Sequence, residues 1–123
     1  MTVMEAITRV DEMKPNVCTL AEKLRWLSVL DGTVKSEIFD MHEGGEEIDF
    51  VPYGEDVLPT RALLAPPPYD EMYLRFLEAQ IDYACGEYGK YNNSVSLFNT
   101  AYEAYEKFYR RTHMPKTKGF KHF

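Results

Sequence analysis

Cysteine is scarce in this chain. Cys18 and Cys85 are the only two in 123 residues, and no CxxC pair occurs. That leaves no disulfide framework and no cysteine zinc site, and it suits a reducing compartment. Long apolar runs are missing as well. Nothing approaches the roughly 18 apolar residues of a membrane span, and Met1-Thr2-Val3-Met4-Glu5 lacks a basic stretch followed by an apolar one. The expectation is a protein that is cytosolic at synthesis and has no membrane partner. Catalytic signatures are absent too: no GxSxG, no GxGxxG, no phosphate-binding GxxxxGK, and no HExxH or HxxxH helix. We therefore expect no enzyme, no cofactor and no metal.

Basic charge is in short supply. Lys and Arg number 14 against 20 acids, for a net charge of −6. Seven acids and no Lys or Arg lie between Asp40 and Asp56 (Asp40, Glu43, Glu46, Glu47, Asp49, Glu55, Asp56). After Pro115 the sign reverses, with Lys116, Lys118 and Lys121 and no acid, so the body without those three lysines carries −9. Phosphate contacts supply most nonspecific nucleic-acid affinity and need cations, so sequence-specific nucleic-acid binding is not expected. The apolar share of 45% is ordinary for a globular domain, and the length suits one domain. Residues 1–114 read as a single helical domain and 115–123 as a basic C-terminal tail.

What the chain does have is helical periodicity. Thr2-Val3-Met4-Glu5 has the form of a capping box, followed by Ile7, Val10 and Met13, with Pro15 closing the helix near Lys14. Thr19-Leu20-Ala21-Glu22 repeats that form. Leu20, Leu24, Leu27, Leu30, Val34, Ile38 and Met41 then keep steps of three and four through Asp31-Gly32. Either that dipeptide separates two helices, or one helix runs from Leu20 to Met41 and tolerates the glycine at about 1 kcal/mol. The unbroken phase favours continuation. His42-Glu43-Gly44-Gly45 ends the pattern, and residues 42–68 read as a long loop with at most one short extended segment, Ile48 to Tyr53. Val57, Leu58, Leu63 and Leu64 suggest that part of this loop is pinned to the helices.

The longest stripe follows: Leu77, Ile81, Ala84, Tyr88, Tyr91, Val95, Phe98, Tyr102, Tyr105 and Tyr109, half of them Tyr. Gly86, Gly89 and Asn92-Asn93-Ser94 interrupt it, so two helices are expected, about Asp70–Tyr88 and Asn93–Thr112. A single helix of about 43 residues is the alternative. The fold class is all-α, a small helical bundle. Its expected core is Leu24, Trp26, Leu27, Leu30, Val34, Ile38, Leu77, Ile81, Val95, Phe98 and Tyr102.

Candidate chemistry is sparse. His42, Glu43, Glu46 and Glu47 read as a solvated acidic loop rather than a metal site. Cys18 precedes a helix start but has no His beside it, and Cys85 reads as a packing residue. The surplus of Tyr, nine in all and six between Tyr83 and Tyr109, remains. It reads equally as an aromatic core with wet phenol tips or as a protein interface, since Tyr is enriched at interface centres. The expected interface residues are Tyr83, Tyr88, Tyr109, Phe120 and Phe123.

Three runs carry a family resemblance. They are Leu24-Arg25-Trp26-Leu27-Ser28-Val29-Leu30-Asp31-Gly32; Tyr83-Ala84-Cys85-Gly86-Glu87-Tyr88-Gly89-Lys90-Tyr91-Asn92-Asn93-Ser94 with Phe98-Asn99-Thr100-Ala101-Tyr102; and Tyr109-Arg110-Arg111-Thr112-His113-Met114-Pro115. The chain resembles the head–tail connector (adaptor) proteins of tailed bacteriophages and prophages. The resemblance implies a structural virion protein that forms a homo-oligomeric ring against the portal and other neck or tail proteins, located in the virion and, during assembly, in the host cytoplasm. A ring requires a heterologous interface with two different surfaces per subunit. The loop or the tail is expected to reach a neighbour. The alternative reading is a cytosolic helical protein–protein interaction module of prophage or bacterial origin.

Overall fold

The computed structural model describes residues 1–116. Four α-helices carry the chain: α1 (Val3–Met13), α2 (Leu20–Glu37), α3 (Glu71–Ala84) and α4 (Tyr88–Thr112). Two 3₁₀ turns, Phe39–Met41 and Gly45–Glu47, follow α2. Among the described residues β-pairing is limited to isolated bridges, Thr2 with Ala62 and His42 with Pro115. The protein is an all-α bundle in which α3 packs on each of the other three helices and most extensively on α4. No helix among the described residues is long and apolar enough to cross a membrane.

Local chemistry explains the first two helix starts. Thr2 Oγ accepts from the Glu5 amide at 3.1 Å, and the Glu5 carboxylate accepts from the Thr2 amide at 3.0 Å, closing the capping box. Hydrogen bonding to the carboxylate from the Thr2 amide, and then from the Thr2 side chain, holds the Glu5 carboxyl below the usual carboxylate range. At α2 the box is only half closed. Thr19 Oγ caps the Glu22 amide at 3.1 Å, but the Glu22 carboxylate turns to the Thr19 hydroxyl instead of its amide. Val3, Ala6, Ile7 and Val10 bury the inner face of α1, while Met13 is exposed.

Helix α2 runs unbroken through Asp31-Gly32 and stops at Glu37, four residues short of Met41. The chain tightens into the 3₁₀ turn, which keeps Ile38 and Phe39 inside and turns Met41 out to solvent. Leu20, at the other end of the expected stripe, is also exposed. Gly45 is required where it stands, because a Cβ there would meet the Phe39 carbonyl oxygen at 1.7 Å.

The α3–α4 break falls at Cys85-Gly86-Glu87, earlier than the expected Asn92-Asn93-Ser94. Gly86 adopts φ +75°, and the Glu87 amide closes back on the Asp82 carbonyl at 2.9 Å, the six-to-one bond of a glycine-terminated helix. Asn92, Asn93 and Ser94 instead lie inside α4. Ser94 does not cap: its hydroxyl donates to Asp82 Oδ2 at 3.1 Å, and Asp82 also takes the Lys14 ammonium. That buried carboxylate ties α1, α3 and α4 together.

Leu24, Trp26, Leu27, Leu30, Val34 and Ile38 of the α2 region, with Leu77 and Ile81 of α3, are buried. Val95, Phe98 and Tyr102 depart from the expected core, since each is only half-buried. The reason is geometric: α4 packs on α3, and its side facing α2 is left partly open.

Candidate functional site

The connection from Ile38 to Asp70 is pinned to the bundle rather than hanging from it. Tyr53, Leu63 and Ala65 are buried in the core, and the Val3 amide donates to the Arg61 carbonyl at 2.9 Å. The polar anchor is Asp31, which is fully buried in the middle of α2. Its carboxylate accepts from Tyr53 Oη at 2.5 Å, Tyr73 Oη at 2.6 Å and the Leu64 amide at 3.1 Å. Tyr73 Oη in turn accepts from the Ala65 amide at 2.8 Å. Burial pushes the Asp31 carboxyl up, and the three donors pull against that rise. Both phenols are pushed well above their ordinary value by burial and then by the Asp31 charge. Phe50 lies over Gly32, next in sequence. The Asp31-Gly32 pair, through which the helix was expected to continue, is therefore also the seat of the loop.

Sequence reasoning missed Asp31 as a functional position in the fold. A signal was present: Asp31 is four residues after Leu27 and three before Val34, so it shares their buried face.

The expected interface residues separate into three groups. Tyr83 and Tyr88 are both 58% exposed. With Tyr91 they form an edge-to-face cluster, Tyr83 lying 5.5 Å from Tyr88 and 5.2 Å from Tyr91 between ring centroids. Every residue from Tyr83 to Lys90 is exposed, so this corner projects from the bundle. Tyr109 is a correction, because it is buried at 5% exposure. Phe39 stacks on it at 4.9 Å, His113 at 3.7 Å, and His42 meets its edge at 5.1 Å. The 3₁₀ turn after α2 folds over the end of α4 and covers this ring. Phe120 and Phe123 lie outside the described residues.

Pro115 and Lys116, expected in the tail, pair with the chain after α2. The Glu43 amide donates to Met114 at 2.8 Å, and the Lys116 amide to Met41 at 3.2 Å. Lys116 Nζ also reaches Glu46 at 3.2 Å.

A second surface lies between α2 and α4, an apolar cleft with Val29, Thr33, Phe76, Phe98 and Tyr102 in its walls. Tyr102 Oη donates to Glu37 Oε1 at 3.2 Å across it, and burial with the Glu37 charge raises that phenol. Phe76 and Phe98 pack at 5.2 Å.

Burial pushes the Cys18 thiol up, which works against its use as a nucleophile. His42 is buried with Nδ1 2.6 Å from the Ile38 carbonyl oxygen, so it is held as a packing group. Among the described residues no group of three or more His, Cys, Asp or Glu side chains is placed to hold a metal ion. Comparison with known proteins finds no family model, no curated protein and no solved structure that matches the chain.

Proposed function

We propose that the chain is a non-catalytic assembly protein of the head–tail connector kind, which docks through the α3–α4 corner and joins copies of itself into a ring on the portal. The observation that carries this reading is the projecting corner, where Tyr83 and Tyr88 are exposed as an ordered aromatic pair. Large rigid aromatics presented at little entropic cost are what interface centres use. The α2–α4 cleft supplies a second, different apolar surface on the same subunit, as a head-to-tail contact requires. The acidic body adds a further fit, since negative walls repel phosphate and would let DNA pass a ring without adhering.

The test pairs the purified chain with the portal protein encoded in the same gene cluster. Electron microscopy is expected to show an added ring below the portal, and a Tyr83→Ser/Tyr88→Ser variant is expected to keep its helical circular dichroism and lose the ring. A chain that stays monomeric by light scattering when portal rings are present overturns the reading. If the same corner then captures one protein as a single subunit, the interaction-module alternative takes its place.

A further inference from the structure

Two cysteines make no disulfide framework, yet the fold brings them to the same end of the bundle. Cys18 stands in the turn between α1 and α2, and Cys85 caps the last turn of α3. Lys14, four residues before Cys18, pairs with Asp82, three residues before Cys85. About one helical turn on from Asp82, Cys85 keeps to the face of α3 that meets the α1–α2 turn. There it lines one cavity with Lys14, Pro15 and Ile81. Both sides of that cavity are held in place. Asn16 Nδ2 donates to Asp11 Oδ1 at 3.0 Å and to the Lys14 carbonyl at 2.8 Å, while Asn16 Oδ1 accepts from the Cys18 amide at 3.0 Å. Opposite, the Cys85 amide donates to the Ile81 carbonyl at 3.0 Å. The two sulfurs also act on each other. Burial raises the Cys18 thiol most, and the Cys85 charge comes next, ahead of Glu22 only four residues along the chain. A charge that outweighs so near a carboxylate lies close by, since its influence falls with distance.

We propose that Cys18 and Cys85 form a thiol–disulfide exchange site, which a small-molecule disulfide such as oxidised glutathione converts to a bond within the chain. Exposure sets the order of steps, because Cys85 is open to solvent and Cys18 is half-buried against the core. The Cys85 thiolate attacks one sulfur of glutathione disulfide. That S–S bond breaks, one glutathione leaves as a thiolate, and Cys85 is held as a mixed disulfide. The Cys18 thiolate then attacks Cys85 Sγ, and the second glutathione leaves. The two cysteine protons pass to the two departing thiolates, so the chain gives up two electrons and one glutathione disulfide becomes two glutathiones. The raised Cys18 thiol is slow toward solutes, which leaves the first step to Cys85. Against the neighbouring mixed disulfide, its fixed position supplies a high effective concentration instead. The bond ties the α1–α2 turn to the foot of the α3–α4 corner. It forms inside one subunit and is independent of ring formation.

The experiment incubates the reduced full-length chain with graded ratios of oxidised to reduced glutathione, at two protein concentrations tenfold apart, and reads intact mass and free thiols. The expected product is a monomer lighter by two hydrogens, with both thiols lost and the same yield at both concentrations. Its urea midpoint is expected to lie above that of the reduced chain, because the bond restricts the unfolded state. Cys18→Ser is expected to stop at one glutathione adduct, mapped to Cys85, and Cys85→Ser to stay reduced under the same conditions. A wild-type chain that halts at the glutathione adduct overturns the proposal. So does a disulfide-linked dimer whose share rises with concentration, which would make Cys85 of a second copy the partner. An internal bond that lowers the urea midpoint also overturns it, since the two sulfurs would then meet only by pulling the fold apart.

Discussion

Replacing Asp31 is the most direct way to test how the loop is held. In Asp31→Ala, Tyr53 Oη, Tyr73 Oη and the Leu64 amide all lose an acceptor that is itself fully buried. Each unsatisfied buried donor costs about 1–3 kcal/mol, and neighbours sharing one acceptor are not additive. Relaxation of the loop also lets water reach some of them. A loss of about 3–5 kcal/mol is expected, a large share of a small domain's total stability. Asp31→Asn keeps one acceptor oxygen and turns an amide toward the third donor, so it should lose about 1–3 kcal/mol. Urea unfolding followed by circular dichroism gives both values. The pH dependence adds an independent check. Because burial raises the folded carboxyl above its unfolded value, the folded state binds the proton more readily. The stabilisation from Asp31 is then full below about pH 4 and lost as pH rises through the folded value. The gap between wild type and Asp31→Asn should therefore narrow with rising pH over that window. A gap that widens would mean the three donors outweigh desolvation. A loss under about 1 kcal/mol in Asp31→Ala would refute the anchoring role altogether.

Three further substitutions probe other joints. Gly32→Ala should stabilise the chain by about 0.5–1 kcal/mol, since the new Cβ meets Phe50 at an ordinary 3.8 Å and α2 gains helix propensity; a lower melting temperature would count against that packing. Gly86→Ala should cost about 1 kcal/mol, because φ +75° disfavours any Cβ, measurable as an earlier urea midpoint. Trp26→Ala should cost roughly 3–5 kcal/mol in a chain where Trp26 is only 9% exposed, and unchanged melting would sink that placement.

Local signals in the sequence led to correct structure, and nonlocal ones did not. The Thr2 box, the α2 phase through Gly32 and the buried run from Leu24 to Ile38 depend on residues within a few positions of one another. The α3–α4 break was misplaced because two signals competed. Gly86, able to take a left-handed backbone, won over Asn92-Asn93-Ser94, whose serine bonds to Asp82 across the corner instead of capping. Tyr109 was misassigned because its cover comes from Phe39 and His42, about 70 positions away in the chain. The burial of Asp31 could be read from its phase, but its partners could not, for the same reason: its donors sit 22, 33 and 42 residues on. The exposed corner was half legible, since composition marked the Tyr surplus and only the fold divided it into outer and inner rings.

The anchoring of the loop also sets where the chain can change length. Ser28 holds the Tyr53 amide, Asp31 holds Tyr53 and Leu64, and the start of α1 holds Arg61 and Leu63. Between the fixed points Tyr53 and Arg61 lies the span from Gly54 to Thr60, where every residue but Val57 is exposed. Residues inserted there lengthen a surface turn and leave every anchor in register. A single residue inserted between Arg61 and Ala65 slides the backbone past both Asp31 and α1 at once. The loop thus behaves as two measured segments with a slack tip, and variation in its length is confined to that tip.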